Sequence, residues 1–312
     1  DRCGNFVIQN SDFLLVIGTR LGIRQISYDF KNFASGAFKV MVDIDCAELQ
    51  KPTLNINIPV QSDAGFFIDE LLSQVKDIKL HKIENWLAWC NERKRVLPDI
   101  ITENSRNSSY VNSYVFADAL FKQLHSDAVV VTGNGAAYTG TFQVMKIKKG
   151  MRVFANQGCA SMGYDLPAAI GACMANDRKP VVLITGDGSI QMNIQELQTI
   201  IAYQLPIKIF VLNNDGYLSI KTTQDTYFSG NYVGSNPQSG VTFPDIKRVS
   251  RAYGIPAIRN QKEKHLTEKI RLALNSPGPF VCEIMMDPKQ TLYPKLSSDV
   301  RPDGTIVSKP LE

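Results

Sequence analysis

Hydrophobic and polar positions fall in blocks along the chain, and the blocks come in two sizes. Short continuous apolar runs at residues 13–18 (FLLVIG) and 38–45 (FKVMVDID) predict buried strands of a parallel sheet. Residues 64–75 (AGFFIDELLSQV) have apolar positions at helical spacing and predict a helix. Residues 83–97 (IENWLAWCNERKRVL) predict an amphipathic helix carrying both tryptophans; Pro98 stops it, and a polar stretch over 102–109 follows. From residue 110 the alternation becomes regular. Strands are predicted at 128–132, 151–155, 180–185, 207–212, 255–258 and 280–285. Helices are predicted at 113–124, 163–174, 193–202 and 263–274. Helices between short buried strands imply the α/β class and a doubly wound parallel sheet. The pattern divides the chain into part of one α/β domain over residues 1–75, a linker with an amphipathic helix over 76–109, and a second domain over 110–312.

Composition changes this picture little. A chain of 312 residues suggests about two domains, and 44% hydrophobic with 21% charged residues is ordinary for a globular protein. The charge balance, 34 − 30 = +4, is too small to imply a nucleic-acid partner, and the basic runs at 93–95 and 146–149 are short. No apolar run approaches the roughly 20 residues that span a bilayer, so no membrane partner is expected. The cysteines (Cys3, Cys46, Cys90, Cys159, Cys173 and Cys282) show no CxxC spacing and no histidine at ligand distance along the chain. That argues against a zinc site or a disulfide scaffold and fits a reducing cytoplasm. His81, His125 and His265 lie on or beside predicted helices, away from the motifs, and read as structural or surface residues.

The candidate chemistry lies between residues 180 and 216. One apolar strand ends in Gly186-Asp187-Gly188-Ser189, a helix follows, and a second apolar strand ends in Asn213-Asn214-Asp215-Gly216. Ligands of open parallel sheets bind beyond the carboxyl ends of strands, and a right-handed crossover puts both motifs on one rim. Asp187 offers an anionic oxygen and Asn214 a neutral amide oxygen. With the backbone carbonyl of Gly216 they make half of the octahedral oxygen shell that Mg²⁺ prefers. Gly186 and Gly188 allow backbone to approach a ligand closely. Ser189 and the amides after it open a helix, where N–H groups attract phosphate. The arrangement suits a magnesium diphosphate. Either motif alone would read as a turn; the pairing on two strand ends is what points to function.

These residues resemble a known family. Gly186-Asp187-Gly188 followed by Asn213-Asn214 resembles the thiamine-diphosphate signature of the acetolactate synthase and pyruvate decarboxylase group. Residues 159–171 (CASMGYDLPAAIG) resemble the family's segment before that signature, and 189–197 (SIQMNIQEL) the acetolactate-synthase form of the helix after it. Residues 1–75 resemble the second half of the family's central Rossmann-like domain, and 110–312 its diphosphate-binding domain. The resemblance implies that Asp187, Asn214 and the Gly216 carbonyl hold Mg²⁺. It implies that Gly133, Asn134, Gly135, Gly186, Gly188, Ser189 and Tyr217 contact thiamine diphosphate. Met162 is then the apolar wedge that bends the cofactor, so that its 4′-amino group reaches C2; the alternative for a Met here is core filling. No catalytic side chain is expected in this chain beyond that wedge.

The implied reaction is decarboxylation of a 2-oxo acid such as pyruvate, with carboligation to an acceptor carbonyl, by a homodimer or homotetramer. Several features shape that expectation. Loop 132–141 (TGNGAAYTGT) could also be a nicotinamide loop, but Tyr138 stands where G-x-G-x-x-G needs its third small residue. The Gln-His pair usual near Asn134-Gly135 is missing. Thr223 stands where biosynthetic relatives carry Trp, and Ser219 where they carry Met, which implies a roomier, more polar acceptor pocket. The tail at 301–311 resembles relatives associated with unusual sugars, so a keto-sugar acceptor is a second reading. Arg20 to Arg24 match arginines that touch FAD in flavin-binding relatives, or a surface loop. The chain begins Asp-Arg-Cys-Gly-Asn, which reads as a start inside a larger protein. The expectation is a C-terminal portion, inactive alone, whose partner is the N-terminal pyrimidine-binding domain of its own or another subunit. The rival classes are a cofactor-binding module without turnover and a flavin or nicotinamide oxidoreductase.

Overall fold

Successive side chains along a strand point to opposite faces of its sheet, and the apolar runs after residue 110 use both faces. Val182 and Ile184 pack on one side with Phe210 and Leu212, while Val181 and Leu183 pack on the other with Ile209 and Val211. A strand that is apolar at every position therefore needs helices above and below it. The computed structural model, which describes residues 2–76, 78, 83–98, 109–290, 298–303 and 306–308, shows this arrangement. The chain divides into two units, residues 1–99 with 294–312 and residues 100–293.

The first unit contains α1 (Arg2–Gln9), β1 (Phe13–Ile17), α2 (Ile23–Ile26), β2 (Phe38–Asp43), α3 (Cys46–Gln50), β3 (Ile58–Gln61), α4 (Ala64–Val75) and α5 (Glu84–Val96). Its strands form a parallel sheet in the order β1-β2-β3 around Val16, Phe33 and Met41. Asp45 and Asp63 cap α3 and α4 by accepting hydrogen bonds from the first-turn amides. Strand 38–45 is thus shorter than its apolar pattern suggests, because Asp45 turns the chain into α3. On α5 the two tryptophan rings stack at 5.1 Å, and Arg93 lies over Trp89.

The second unit runs α6 (Ser113–Gln123), β4 (Val129–Thr132), α7 (Ala136–Val144), β5 (Arg152–Ala155), α8 (Asp165–Ala175), β6 (Val181–Gly186), α9 (Asp187–Gln191), α10 (Leu197–Ala202) and β7 (Ile207–Asn213). It continues through α11 (Leu218–Tyr227), α12 (Ile246–Ala252), β8 (Ala257–Asn260), α13 (Leu266–Asn275) and β9 (Phe280–Met285). All strand pairs are parallel, in the order β5-β4-β6-β7-β9-β8. One face packs α6, α7 and α13 around Phe116, Leu120, Ile270 and Phe210. The other packs α8, α10 and α12 around Leu166, Ile200, Ile246 and Val211. This is the expected doubly wound α/β sheet. The described part of the tail is an antiparallel pair, β10 (Ser298–Val300) and β11 (Ile306–Ser308).

Three local expectations need correction. The segment read as loop 132–141 becomes helix at Ala136, because Gly135 takes a positive φ of 59° and reverses the chain into α7. The helix expected over 193–202 is α10, preceded by a 3₁₀ turn at Ile194–Glu196. The helix expected from 163 starts at Asp165, after a turn at Gly163 with φ of 81°.

Candidate functional site

The connection after β4 runs over one face to β5, and the connection after β6 runs over the other face to β7. The carboxyl ends of β4 and β6 therefore flank a topological switch point, the place where open α/β sheets hold ligands. Gly133–Gly135 leave β4 there and Gly186–Ser189 leave β6. Asn213–Tyr217 leave the adjacent β7.

Asp187 ties two of these loops together. Its Oδ1 accepts from Gly188 N at 2.9 Å, and its Oδ2 accepts from Asn214 N at 3.1 Å and Gly216 N at 3.3 Å. Burial pushes the Asp187 carboxyl up to about 6, against the downward pull of these backbone N–H donors. The two asparagines divide the work. Asn213 donates to Glu283 Oε1 at 2.8 Å and accepts from Asp215 N at 3.1 Å, so it is scaffold. Asn214 is 6% exposed, and its Oδ1 is buried without a hydrogen-bond partner. Lys221, equally buried, donates from Nζ to the Asn214 carbonyl at 3.1 Å, and burial lowers its pKa despite the surrounding aspartates.

The turn before α8 is fixed by a second group of bonds. Ser189 Oγ accepts from Gly163 N at 2.9 Å and donates to Asp165 Oδ1 at 3.2 Å. Asn193 donates to the Gly163 carbonyl at 2.7 Å, and Asn134 donates to the Ala160 carbonyl at 2.7 Å. Met162 stands on this braced turn, half-buried. The side chains of Ser189 and Asn134 thus hold the loop that presents Met162, a task the spacing of the motifs does not reveal. α9 is only five residues long, so it offers a few amides rather than a long macrodipole.

The glycines differ in why they are glycines. A Cβ on Gly133 would overlap the Asp165 carboxylate, one on Gly188 the Tyr217 ring, and one on Gly216 the Ser235 carbonyl. A Cβ on Gly186 would meet nothing within 4 Å. Gly186 alone of the signature pair leaves open space beside the backbone; Gly188 makes room for Tyr217, which packs edge-on against Phe243 at 5.6 Å. A Cβ on Gly135 would stand 3.3 Å from Ser219 Oγ, so the start of α11 lies against the loop after β4.

His125 and His265 are exposed, and His81 lies outside the described residues. Arg20 pairs with Glu48 at 2.7 Å with its side chain 80% exposed. Sequence reasoning missed Asp165, Lys221 and Ser235. Asp165 reads as an ordinary first-turn acid until the fold sets it against Ser189 and Gly133; burial raises its pKa. Lys221 is the one signal available in the sequence, a charge on the buried side of α11.

The donors fit a hard divalent cation. Among the described residues no three His, Cys, Asp or Glu side chains gather, so a metal here needs neutral oxygens beside one carboxylate. The unbonded Oδ1 of Asn214 is such an oxygen, on a residue whose own amide Asp187 binds. A buried acceptor left empty costs about 1–3 kcal/mol, and a ligand that needs an oxygen donor removes that cost.

Comparison with known proteins points to a cofactor family. Residues 133–284 match the family described as "Thiamine pyrophosphate enzyme, C-terminal TPP binding domain". The chain is 31% identical over 300 residues to the acetolactate synthase large subunit of Cyanidium caldarium, covering 94% of this chain and 49% of that protein. It is 31% identical over 301 residues to acetolactate synthase 3, chloroplastic, of Brassica napus, covering 94% and 45%. It is 30% identical over 294 residues to the acetolactate synthase large subunit of Buchnera aphidicola, covering 93% and 50%. The chain spans about half the length of the curated relatives it matches.

Proposed function

Residues 133–284 belong to the thiamine pyrophosphate enzyme family as its C-terminal TPP-binding domain, and from that premise we propose that this chain anchors magnesium and thiamine diphosphate for acetolactate-synthase-like decarboxylation of a 2-oxo acid, pyruvate in the first instance, with transfer of the remaining fragment to an acceptor carbonyl. The observation that carries the reading is the unbonded, buried Oδ1 of Asn214, a residue whose backbone N–H the Asp187 carboxylate holds on the sheet's switch-point rim.

Asp187, Asn214 Oδ1 and the Gly216 carbonyl would hold Mg²⁺. Gly133, Asn134, Gly135, Gly186, Gly188, Ser189 and Tyr217 line the loops that would receive the diphosphate. Bound thiamine diphosphate supplies the electron sink for decarboxylation, which no side chain offers. The chain's own part is geometric. Asp187 fixes the Asn214 and Gly216 amides, Ser189 and Asn193 hold the turn of Gly163, and Asn134 holds Ala160, so that Met162 is presented on a rigid turn. Asp187 at about 6 is largely ionised at neutral pH, and a bound cation favours that form further.

The acceptor reading favours a polar carbonyl compound such as a keto-sugar over a second small 2-oxo acid. Ser219 lies against Gly135, and Thr223, one helical turn further, is exposed. Calorimetric titration with thiamine diphosphate and Mg²⁺ tests the cofactor reading: saturable binding in the native protein and its loss in Asp187→Ala are expected, and equal binding by both proteins refutes it. Mass spectrometry of products from pyruvate and a panel of acceptor carbonyls tests the reaction.

A further inference from the structure

Asn214 is held by both of its backbone polar groups. Its N–H is bound by Asp187 Oδ2 at 3.1 Å and its carbonyl by Lys221 Nζ at 3.1 Å, which leaves the side-chain oxygen as its buried, unbonded atom. Lys221 reaches this carbonyl from the first turn of α11, only 6% exposed, and makes no ion pair among the described residues. Gly216, across the same loop, lies close to the ammonium: a Cβ there would stand 3.4 Å from Nζ, in ordinary contact, and only the Ser235 carbonyl would exclude it. Asp187, Asp215, Asp225 and Asp287 attract this ammonium, yet burial outweighs them, so a lysine at this place must return something that an apolar residue of equal length would not. The carbonyl it grips belongs to the residue whose side chain is unbonded.

We propose that Lys221 is a positioning residue for the divalent-cation site: its charged hydrogen bond locks the 214–215 peptide so that Asn214 Oδ1 is presented to the metal. The inference rests on the reading of Asp187 and Asn214 as metal ligands. Lys221 touches neither metal nor substrate in this role; it acts through Asn214. A charged donor on a buried carbonyl is worth more than a neutral one, and loss of that grip frees the peptide to rotate.

The test is Mn²⁺ affinity, measured by electron paramagnetic resonance in the full-length protein with thiamine diphosphate present, together with melting temperature without metal. Lys221→Met, of similar length without charge, is expected to weaken Mn²⁺ binding about tenfold or more. Lys221→Arg, which keeps the charge, is expected to stay within about threefold of the native protein. A lysine that merely packs would lower the melting temperature and leave the Mn²⁺ affinity of the folded protein unchanged; that result, or tighter binding in Lys221→Met, overturns the proposal. If Lys221→Met does not fold, a tenfold loss in folded Lys221→Arg overturns it instead. Asp187→Ala separates the two levels. If the native protein and Asp187→Ala bind Mn²⁺ alike, the metal-site reading fails; if only Asp187→Ala loses binding and both Lys221 variants do not, the role of Lys221 fails alone.

Discussion

The Asn214 N–H donates to the Asp187 carboxylate at 3.1 Å, while the Asn214 side-chain oxygen, buried in the same loop, bonds nothing. The first relation belongs to the backbone and survives substitution of the side chain. The second does not. Asn214→Ala removes an unsatisfied buried acceptor, whose cost to the metal-free fold is about 1–3 kcal/mol, and deletes some packing. We expect a melting temperature without metal within a few degrees of the native protein, together with at least a tenfold loss of Mn²⁺ affinity. A variant that loses stability but keeps its affinity would show that the oxygen has no ligand to meet.

The glycines of the signature should separate by the same logic. Gly188→Ala drives a methyl into Tyr217, with Phe243 behind it, and overpacking of this kind costs about 1–3 kcal/mol. Gly186→Ala meets open space at an extended φ of −97°, which any residue adopts. We expect Gly188→Ala to lower the denaturation midpoint clearly and Gly186→Ala to leave it near the native value. If the space beside Gly186 is where the diphosphate lies, Gly186→Ala loses thiamine diphosphate affinity despite its native stability. Paired denaturant melts and calorimetric titrations check both halves.

The contrast between these two glycines shows what the sequence can and cannot carry. Six strands and their parallel order in one sheet follow from apolar runs too continuous for one-sided burial, such as VVLIT at 181–185 and IFVL at 209–212. The meeting of Asp187 and Asn214 follows from strand ends and crossover handedness. Which glycine is open and which is filled depends on Tyr217, twenty-nine positions along the chain from Gly188, and no local pattern contains that. The same holds for Ser189. Its place after Gly188 suggests phosphate contact, yet its hydroxyl bonds Gly163 and Asp165, because α8 brings them to the start of α9. β3 is not legible in the sequence either: IPVQ is short and contains a proline, and only pairing with β2 makes it a strand.

The proposed acceptor pocket gives a prediction about product rather than stability. Thr223 donates to the Ser219 carbonyl at 3.1 Å, so the two side chains stand one turn apart on α11. Thr223 is exposed, and Trp there adds bulk without disturbing the core. We expect Thr223→Trp to keep the rate of CO₂ release from pyruvate within about threefold and to reduce carboligation to a polyhydroxylated acceptor at least tenfold, read by mass spectrometry. Equal loss with small and large acceptors would place Thr223 outside the pocket.

Asp165 makes the pH dependence of stability a test of the bracing behind Met162. Burial raises its carboxyl above the ordinary 3.8, although Thr185, Ser189 and the Leu166 amide pull it down. A folded pKa above the unfolded one means that the folded state holds its proton more tightly. The stability contributed by that proton is complete below about pH 3.8 and is lost as pH rises through the raised value. Asp165→Asn cannot titrate, and its side-chain oxygen can still accept from Leu166 N and Ser189 Oγ. The melting temperature of Asp165→Asn relative to the native protein should therefore climb between pH 4 and pH 8, by an amount that sets the size of the shift. Asp165→Ala breaks the link to Ser189 and should fall below the native protein throughout, with a weaker hold on the Gly163 turn. A gap between Asp165→Asn and the native protein that stays constant with pH would mean that the Asp165 carboxyl titrates normally in the folded state, and that its contacts with Ser189 and Leu166 already balance its burial.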